Sequence, residues 1–372
     1  MRITLYFTAL GRGGTERVLV RLASEFARAG HEVDLVLMRL GENAYADERD
    51  SRVRIVDLGA RHLKSSFPLF ARYLRGERPD VVISAGDLAN VFAGWAVRLV
   101  RPRPVLIFTH HGYVTRAFEN TSNARSRPLT SILRHSHRLA DAVVGVSDGV
   151  ADNIKRLPGV APRNVHRIYN PSWHASMDVC AREFVRCEWL ELRSEPLVVA
   201  VGRLDPAKDF ATLLNAFEIL RKSRKIRLLV LGEGPERPAL ERLVHELDLQ
   251  EHVLLPGFVE NPFAYMARAS ILVLSSRDEG FGNVLVEAMA CGTPVVSTDC
   301  PGGPAEILDR GRYGALVPVD RPEDMAQAIE SMLDNPTDPD LLRERARKFS
   351  IEAAADNYLR LIETLMPSRP AA

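Results

Sequence analysis

Cysteine is scarce in this 372-residue chain. Cys180, Cys187, Cys291 and Cys300 are the whole supply, and no two stand in the C-x-x-C spacing of zinc or dithiol sites. So few thiols exclude a disulfide-stapled mini-protein and suit a reducing compartment. No stretch approaches 18 uninterrupted apolar residues, so no membrane-spanning helix is expected. The opening MRITLYFTAL has one early arginine and a short apolar stretch, followed by glycines instead of a small-residue cleavage site. It reads as a strand, not a secretory leader. Internal repeats and long low-complexity tracts are absent, which excludes solenoids, collagen and coiled coils. Lysine is rare too, and nearly all the basic residues are arginine.

What is present is ordinary in bulk and uneven in distribution. A hydrophobic fraction of 46 % and a charged fraction of 26 % fit a soluble globular chain, and the length favours two domains. The net charge of +1 hides an asymmetry. Residues 1–180 carry 26 Lys+Arg against 17 Asp+Glu, and residues 181–372 carry 23 against 31. A basic half beside an acidic one suggests an anionic partner for the first: a phosphate ligand, a lipid surface or nucleic acid. The plainer alternative is that the charge serves solubility. The basic half lacks interleaved aromatics or a nucleic-acid motif, so nucleic acid is not expected.

Short apolar runs at 3–8, 32–38, 53–57, 81–84, 105–109, 142–146 and 165–168 alternate with helical segments at 16–29, 67–76, 87–100, 126–139 and 148–156. Thr15 can cap the first helix and Gly30 can end it. The rhythm breaks at Asn170-Pro171 and resumes with runs at 197–201, 226–231, 252–255, 271–274 and 295–297. Helices are expected there at 210–222, 236–247, 262–269, 283–290 and 322–333, with a last one near 351–365. The pattern predicts an α/β fold of two doubly wound, Rossmann-like domains: 1–170, a linker 171–195, 196–345, and a C-terminal helix 346–372 packing back on the first domain. Two such domains imply a cleft, with ligands beyond the carboxyl ends of the strands.

Four motifs carry chemistry. Gly11-Arg12-Gly13-Gly14-Thr15-Glu16-Arg17 joins a strand to a helix, where glycines let backbone N–H groups approach a phosphate; a tight turn alone would also need them. Gly202-Arg203-Leu204-Asp205-Pro206-Ala207-Lys208 puts two cations in a strand-to-helix loop, suited to a diphosphate or to an ordinary surface ion pair. Residues 278–292 place Glu279 in a loop, Gly280 and Gly282 at a helix start, and Glu287 a turn farther in. Ionised carboxylates only accept hydrogen bonds, so the pair fits a hydroxyl-rich ligand; loop solvation and an ordinary helix surface are the alternatives. Thr109-His110-His111-Gly112 ends a strand with imidazoles able to donate to a hydroxyl or phosphate or to move a proton.

Together and in this order, the motifs resemble the retaining nucleotide-sugar glycosyltransferases of family 4, of the bacterial polysaccharide and glycolipid type with the GT-B fold. EGFGNVLVE (279–287) is similar to the family's E-x7-E signature, VGRLDPAK (201–208) to its arginine–lysine clamp, GGTER (13–17) to its N-terminal glycine loop, and CPGGPAEIL…GRYGALVP (300–318) to its C-terminal stretch. The resemblance implies that the first domain binds the acceptor and the second the nucleotide-sugar. Gly13 and Gly14 would contact the donor diphosphate, and Arg203 and Lys208 would neutralise it. Glu279 would hold the transferred sugar with the Phe281, Gly282 and Asn283 amides nearby, and Glu287 the ribose. Phe258 and Val259 would flank the base. Either His110 or His111 would meet the donor sugar, with His111 preferred because the family pattern reads Thr-x-His. UDP-sugars are favoured over GDP-mannose as donors. The acceptor is a glycan or a polyprenyl-diphosphate-linked glycan.

No cofactor and no metal are expected. The one Asp-x-Asp, Asp338/Asp340, sits in the Pro-rich NPTDPD stretch, so the cations must supply the charge. A non-hydrolysing sugar-nucleotide epimerase and a non-enzymatic nucleotide-sugar-binding protein are the competing readings. The expected location is the cytoplasm, with peripheral attachment to the inner face of the membrane. Residues 61–78 suggest how: Arg61, Lys64, Arg72, Arg75 and Arg78 accompany Phe67, Phe70 and Leu74 on one helical face, a basic amphipathic helix for an anionic leaflet. The alternative is that the phenylalanines belong to the core.

Overall fold

A computed structural model of the chain describes residues 1–11, 13–41, 45–114, 136–157, 159–187, 189–190 and 195–366. They form two compact units, Met1–Pro171 with Ile351–Ala372, and Ser172–Ser350.

The first unit is built on a seven-stranded sheet of β1 (Arg2–Phe7), β2 (Glu32–Leu37), β3 (Arg54–Asp57), β4 (Val81–Ala85), β5 (Val105–His110), β6 (Ala142–Gly145) and β7 (Val165–Arg167), in the order β3-β2-β1-β4-β5-β6-β7. Every pairing is parallel. Parallel strands need crossovers, and helices between them bury both faces, so VVISA of β4 is buried at every position. The winding reverses between β1 and β4, where the loops after the two strands part and leave a crevice.

The second unit repeats the plan with β8 (Leu197–Val201), β9 (Arg227–Leu231), β10 (Val253–Gly257), β11 (Ile271–Leu274), β12 (Val295–Thr298) and β13 (Ala315–Val317), again all parallel, in the order β10-β9-β8-β11-β12-β13. Its reversal falls between β8 and β11.

Several details differ from the sequence reading. The first helix is Gly14–Arg28 with Gly13 as its N-cap, so Thr15 lies inside it. The described residues from 172 to 187 belong to the second unit and not to a separate linker. The Ser172 and Trp173 amides both donate to Phe349 O, at 3.0 and 2.9 Å, and Met177–Arg182 is a helix packed against the helix Phe263–Met266. Asn261 and Arg268 donate to the carbonyls of Cys180, Ala181 and Glu183, which ties this segment to the second unit. Residues 346–350 also belong there, and only Ile351–Leu365 packs on the first unit, placing Tyr358, Leu361 and Ile362 in its core.

The NPTDPD stretch is a helix start: Asp338 accepts from Asp340 N, and Pro339 opens Pro339–Arg347 at the position where its missing N–H costs nothing. The expected helix at 126–139 lies mostly outside the described residues; His137–Leu139 is a single 3-10 turn.

The helix Leu63–Glu77 corrects the membrane stripe. Phe70 and Leu74 are buried, and Phe70 stacks on Tyr6 of β1 with ring centroids 3.9 Å apart. The stripe is spent on the core, leaving Phe67 half-buried and Arg61, Arg72, Arg75 and Arg78 exposed; the Lys64 side chain is outside the described residues. Among the described residues, no helix is long and apolar enough to cross a membrane.

Candidate active site

Each unit carries its own set of candidate side chains at the carboxyl ends of its strands. In the second unit the loops after β8 and β11 are laced together: Arg277 N donates to Ala207 O at 2.8 Å and Ser275 Oγ to Lys208 O at 2.8 Å. This brings Lys208 and Glu279 into contact across 71 residues of sequence, with Nζ donating to Oε1 at 2.5 Å. Ser276 Oγ donates to the same oxygen at 2.7 Å. Both donors converge on Oε1, and among the described residues no other side-chain hydrogen bond reaches the carboxylate, which leaves Oε2 able to accept. Glu279 is 9 % exposed, and a carboxylate this buried persists because it is paired.

Glycines hold the loop in place. A Cβ on Gly302 would lie 1.7 Å from Glu279 O, and one on Gly303 2.3 Å from Phe281 O. Gly282, at φ +97°, caps the helix Asn283–Ala290. Phe281 is buried and meets Phe349 edge-on at 5.4 Å, so its side chain belongs to the packing of the unit. Asn283 Oδ1 accepts from Ser172 Oγ at 2.9 Å. Glu287 is buried one turn into the helix. Phe258 is exposed and Val259 half-buried just after β10.

Arg203 stands apart from the Lys208–Glu279 pair. It is exposed and makes no ion pair among the described residues. The loop that carries it rests on Gly232 and Gly234, where a Cβ would meet Gly202 O at 1.9 Å and Leu204 O at 2.2 Å. Cys300 is no nucleophile, because burial and then the Glu279 carboxylate push its thiol up to about 12.

In the first unit the two histidines have separate surroundings. His110 is 2 % exposed: its Nδ1 faces Asp87 Oδ1 at 3.2 Å, and its Nε2 lies 3.0 Å from His137 Nε2 and 3.4 Å from Asn90 Nδ2. Both ring nitrogens are engaged. Burial pushes the Asp87 carboxyl up, but its hydrogen bond to His110 and the charges of His110 and His137 outweigh that and hold it below the usual range. His111 is half-buried, with Thr109 Oγ1 3.4 Å from Nε2. Burial, reinforced by His110, lowers its pKa to about 4 against an opposing hydrogen bond with Asn170. Gly13 and Gly14 form the N-terminal end of the helix Gly14–Arg28 after β1; Arg12 is outside the described residues.

The His111 shift has a consequence for stability. The unfolded chain takes up a proton near pH 6.5, whereas the folded chain refuses it until about pH 4. Stability is therefore lost as pH falls through that window. Melting His111→Asn beside the parent at pH 7.5 and pH 4.5 is expected to show a smaller drop for the variant; equal drops would contradict the assignment.

Ser276, Ser275, Gly232, Gly234 and the Asp87–His110–His137 network went unnoticed in the sequence. The serines directly after the LVL run of β11 and the GEG after β9 are the signals that could have marked the loops. Asp87 and His137 gave none, since only topology brings them to His110. Among the described residues, no group of three or more His, Cys, Asp or Glu could hold a metal ion. Asp338 is engaged as a helix cap.

Comparison with known proteins decides the family. The description "Glycosyltransferase Family 4" matches residues 12–171, and "Glycosyl transferases group 1" matches residues 182–349. The chain belongs to these glycosyltransferases. Two relatives of the family-4 chain are an N-acetylgalactosamine-N,N'-diacetylbacillosaminyl-diphospho-undecaprenol 4-alpha-N-acetylgalactosaminyltransferase of Campylobacter jejuni and the alpha-D-kanosaminyltransferase of Streptomyces kanamyceticus. The first is 33 % identical over 53 % of this chain, the second 32 % over 60 %. The matches span only 52 % and 60 % of those relatives' own lengths. The lipopolysaccharide core biosynthesis glycosyltransferase LpsE of Rhizobium meliloti is 27 % identical over 94 % of this chain and 96 % of its own.

Among solved structures, the sucrose-phosphate synthase of Thermosynechococcus elongatus superposes on the family-4 chain with a TM-score of 0.79 at 23 % identity, covering 98 % of each chain. The Anabaena protein Alr3699/HepE, solved with UDP and glucose, gives 0.78 at 19 % identity over 98 % of this chain and 100 % of its own. These likenesses establish the fold, two Rossmann-like units of the GT-B type.

Proposed function

We propose that the chain transfers a hexose from a nucleotide-sugar to a glycan or polyprenyl-diphosphate-linked glycan, with retention at the anomeric carbon. The observation that carries this reading is the contact of Lys208 with the buried Glu279 at the reversal point of the second sheet. Its free carboxylate oxygen accepts from sugar hydroxyls, and Lys208 stands beside it to receive the diphosphate. Arg203, exposed and uncommitted, adds a second cation with a fork suited to phosphate oxygens. The N-terminal end of Asn283–Ala290, behind Phe281 and Gly282, adds backbone N–H groups and a favourable dipole. Glu287 takes the ribose, and Phe258 with Val259 flanks the base. In the first unit, Gly13 and Gly14 offer amides to the diphosphate. His111, uncharged at neutral pH, hydrogen-bonds the donor sugar, while His110 is committed to Asp87 and His137.

As the C–O bond to the leaving phosphate breaks, negative charge grows on the diphosphate, and preorganised cations stabilise it. The acceptor hydroxyl attacks from the face the phosphate leaves and gives its proton to a phosphate oxygen. No divalent metal is required in this scheme. A UDP-sugar donor is supported by the UDP complexes among proteins of this fold. A lipid-linked or polysaccharide acceptor is supported by the names of the Campylobacter and Rhizobium relatives. Such an acceptor would place the enzyme in the cytoplasm, at the inner face of the membrane.

The test is a panel of UDP- and GDP-sugars, read by nucleotide release with and without a membrane lipid extract. Release that requires both a donor and an acceptor, and that persists in EDTA, is expected. Turnover of donor without acceptor would favour the epimerase, and turnover abolished by EDTA and restored by Mg²⁺ or Mn²⁺ would remove the metal-free scheme.

A further inference from the structure

The described residues of the first unit hold a second concentration of charge, at the ends of the strands opposite His110 and His111 and directly after His137 in the chain. A pocket of about 310 Å³ is lined by Arg98, Arg101, Arg103, Arg138 and Leu139. These residues stand at the end of the helix Asp87–Arg98 and just before β5 and β6, at the amino ends of the strands. His110 and His111 close the other end of β5, six residues away along the strand. One carboxylate serves four guanidinium groups. Arg103 donates to Asp141 Oδ1 at 2.8 Å and to Leu139 O at 3.0 Å. Arg101 donates only to carbonyls, Val100 O at 2.9 Å and Arg98 O at 3.4 Å. Arg98 and Arg138 make no ion pair among the described residues.

The walls are set by glycines. A Cβ on Gly159 would fall 1.9 Å from Arg138 Nε, so the arginine lies across that glycine. A Cβ on Gly94 would fall 2.8 Å from Leu139 Cδ1, so its absence lets Leu139 close against the helix. A pocket with a net excess of three guanidinium charges is a seat for phosphate oxygens, which a guanidinium fork binds two at a time.

The rim adds the second observation. Trp95 is 54 % exposed and Leu99 52 %, and with Arg98 they occupy positions i, i+4 and i+3 of one helix face. An indole and a leucine next to arginines match the boundary layer of a bilayer, where the ring sits at headgroup depth and the cations meet lipid phosphates.

We infer that this face docks on an anionic phospholipid surface, the arginine pocket taking a headgroup phosphate and Trp95 and Leu99 entering the interface. The surface is separate from the helix Leu63–Glu77, whose apolar stripe is buried, and the inference is independent of the sugar-transfer reading. Charge complementarity selects the occupant: three uncompensated guanidinium groups need a surface dense in phosphate, and the apolar rim needs one with an accessible hydrocarbon boundary.

The experiment is co-sedimentation of the full chain with phosphatidylglycerol/phosphatidylcholine vesicles and with pure phosphatidylcholine vesicles, at low and high salt. Binding to the anionic vesicles alone, weakened by salt, is expected. Each arginine near the surface contributes about fivefold to partitioning, so Arg98→Ala/Arg101→Ala is expected to lose about 25-fold. Trp95→Ser/Leu99→Ser is expected to weaken binding at both salt concentrations, and the Trp95 emission of the parent to shift to the blue on anionic vesicles. None of these four side chains lies in the proposed sugar-transfer machinery, so nucleotide release with a soluble acceptor is expected to stay at the parent's level in both variants. Absent or salt-indifferent binding, or binding unchanged in both variants, overturns the inference. So does a result in which inorganic phosphate raises the melting temperature through the arginines while vesicles do not bind, which would make the pocket a site for free anions. Arginine-dependent capture of an acidic polypeptide without vesicle binding would overturn it in favour of a protein partner.

Discussion

Replacing Glu279 by glutamine is expected to lower turnover about 100- to 1000-fold, the loss typical of removing one preorganised group that acts on developing charge. Glutamine keeps the shape and the hydrogen bond from Ser276 while discarding the charge that holds Lys208 at 2.5 Å. Lys208→Met is expected to lose a similar factor. Because the two groups touch, the double variant is expected to lose much less than the product of the single losses. Lys208→Met leaves a carboxylate only 9 % exposed without its cation, and breaking a buried pair costs up to about 3–5 kcal/mol, so the rate is read only where the melting curve shows a folded variant. The sequence offered loop solvation for Glu279 and a surface ion pair for Lys208 as alternatives; in the structure the carboxylate is buried and the lysine partly so. Initial rates with melting curves for the three variants make the test. Near-parental turnover in the single variants, with donor saturating, would remove the pair from the chemistry.

A comparable loss is expected from a residue that touches no ligand. Gly302 has φ +127°, and a Cβ there would sit 1.7 Å from Glu279 O and 2.7 Å from its carbonyl carbon. Backbone cannot step aside as a flexible side chain can. Gly302→Ala must therefore push the Glu279 loop away from the loop of Lys208, separating the pair. A misplacement of about 1 Å is enough to cost on the order of 100-fold in rate. The strained conformation adds about 1–3 kcal/mol of destabilisation. Gly76→Ala is the control: it lies near the end of the helix Leu63–Glu77 with nothing within 4 Å of a built Cβ, and is expected to be silent in rate and neutral or slightly stabilising. Parallel rates for the two variants would show that the loop tolerates displacement.

Gly302 also shows where reading the sequence stops. Alternating apolar runs located 12 of the 13 strands, because parallel strands covered on both faces are nearly continuous in Val, Ile and Leu. The exception, β13, spans three residues, too few for a period to show. Lys208 and Glu279 were legible because each follows a strand at a chemically telling spacing. Why Gly302 must be glycine was not, since the reason is a carbonyl 23 residues earlier in the chain. The helix opening at Pro339 was not expected, although in NPTDPD an aspartate followed by proline is how a helix can begin. Phe70 and Leu74 show the limit of periodicity. A helical stripe reports that one face is apolar and says nothing of whether lipid or Tyr6 covers it.

The return of Ile351–Leu365 to the first unit bears on how the protein is made. Synthesis runs from the amino end, so β1 to β7 can pair while the ribosome is still producing the stretch from 172 to 350. During that interval the face against which Tyr358, Leu361 and Ile362 pack, including Phe26, has no cover. At bacterial or eukaryotic elongation rates the wait is on the order of ten to forty seconds. The second unit, contiguous in the chain, can complete itself before the first. The nascent first unit therefore keeps that apolar face open until Ile351–Leu365 has been made.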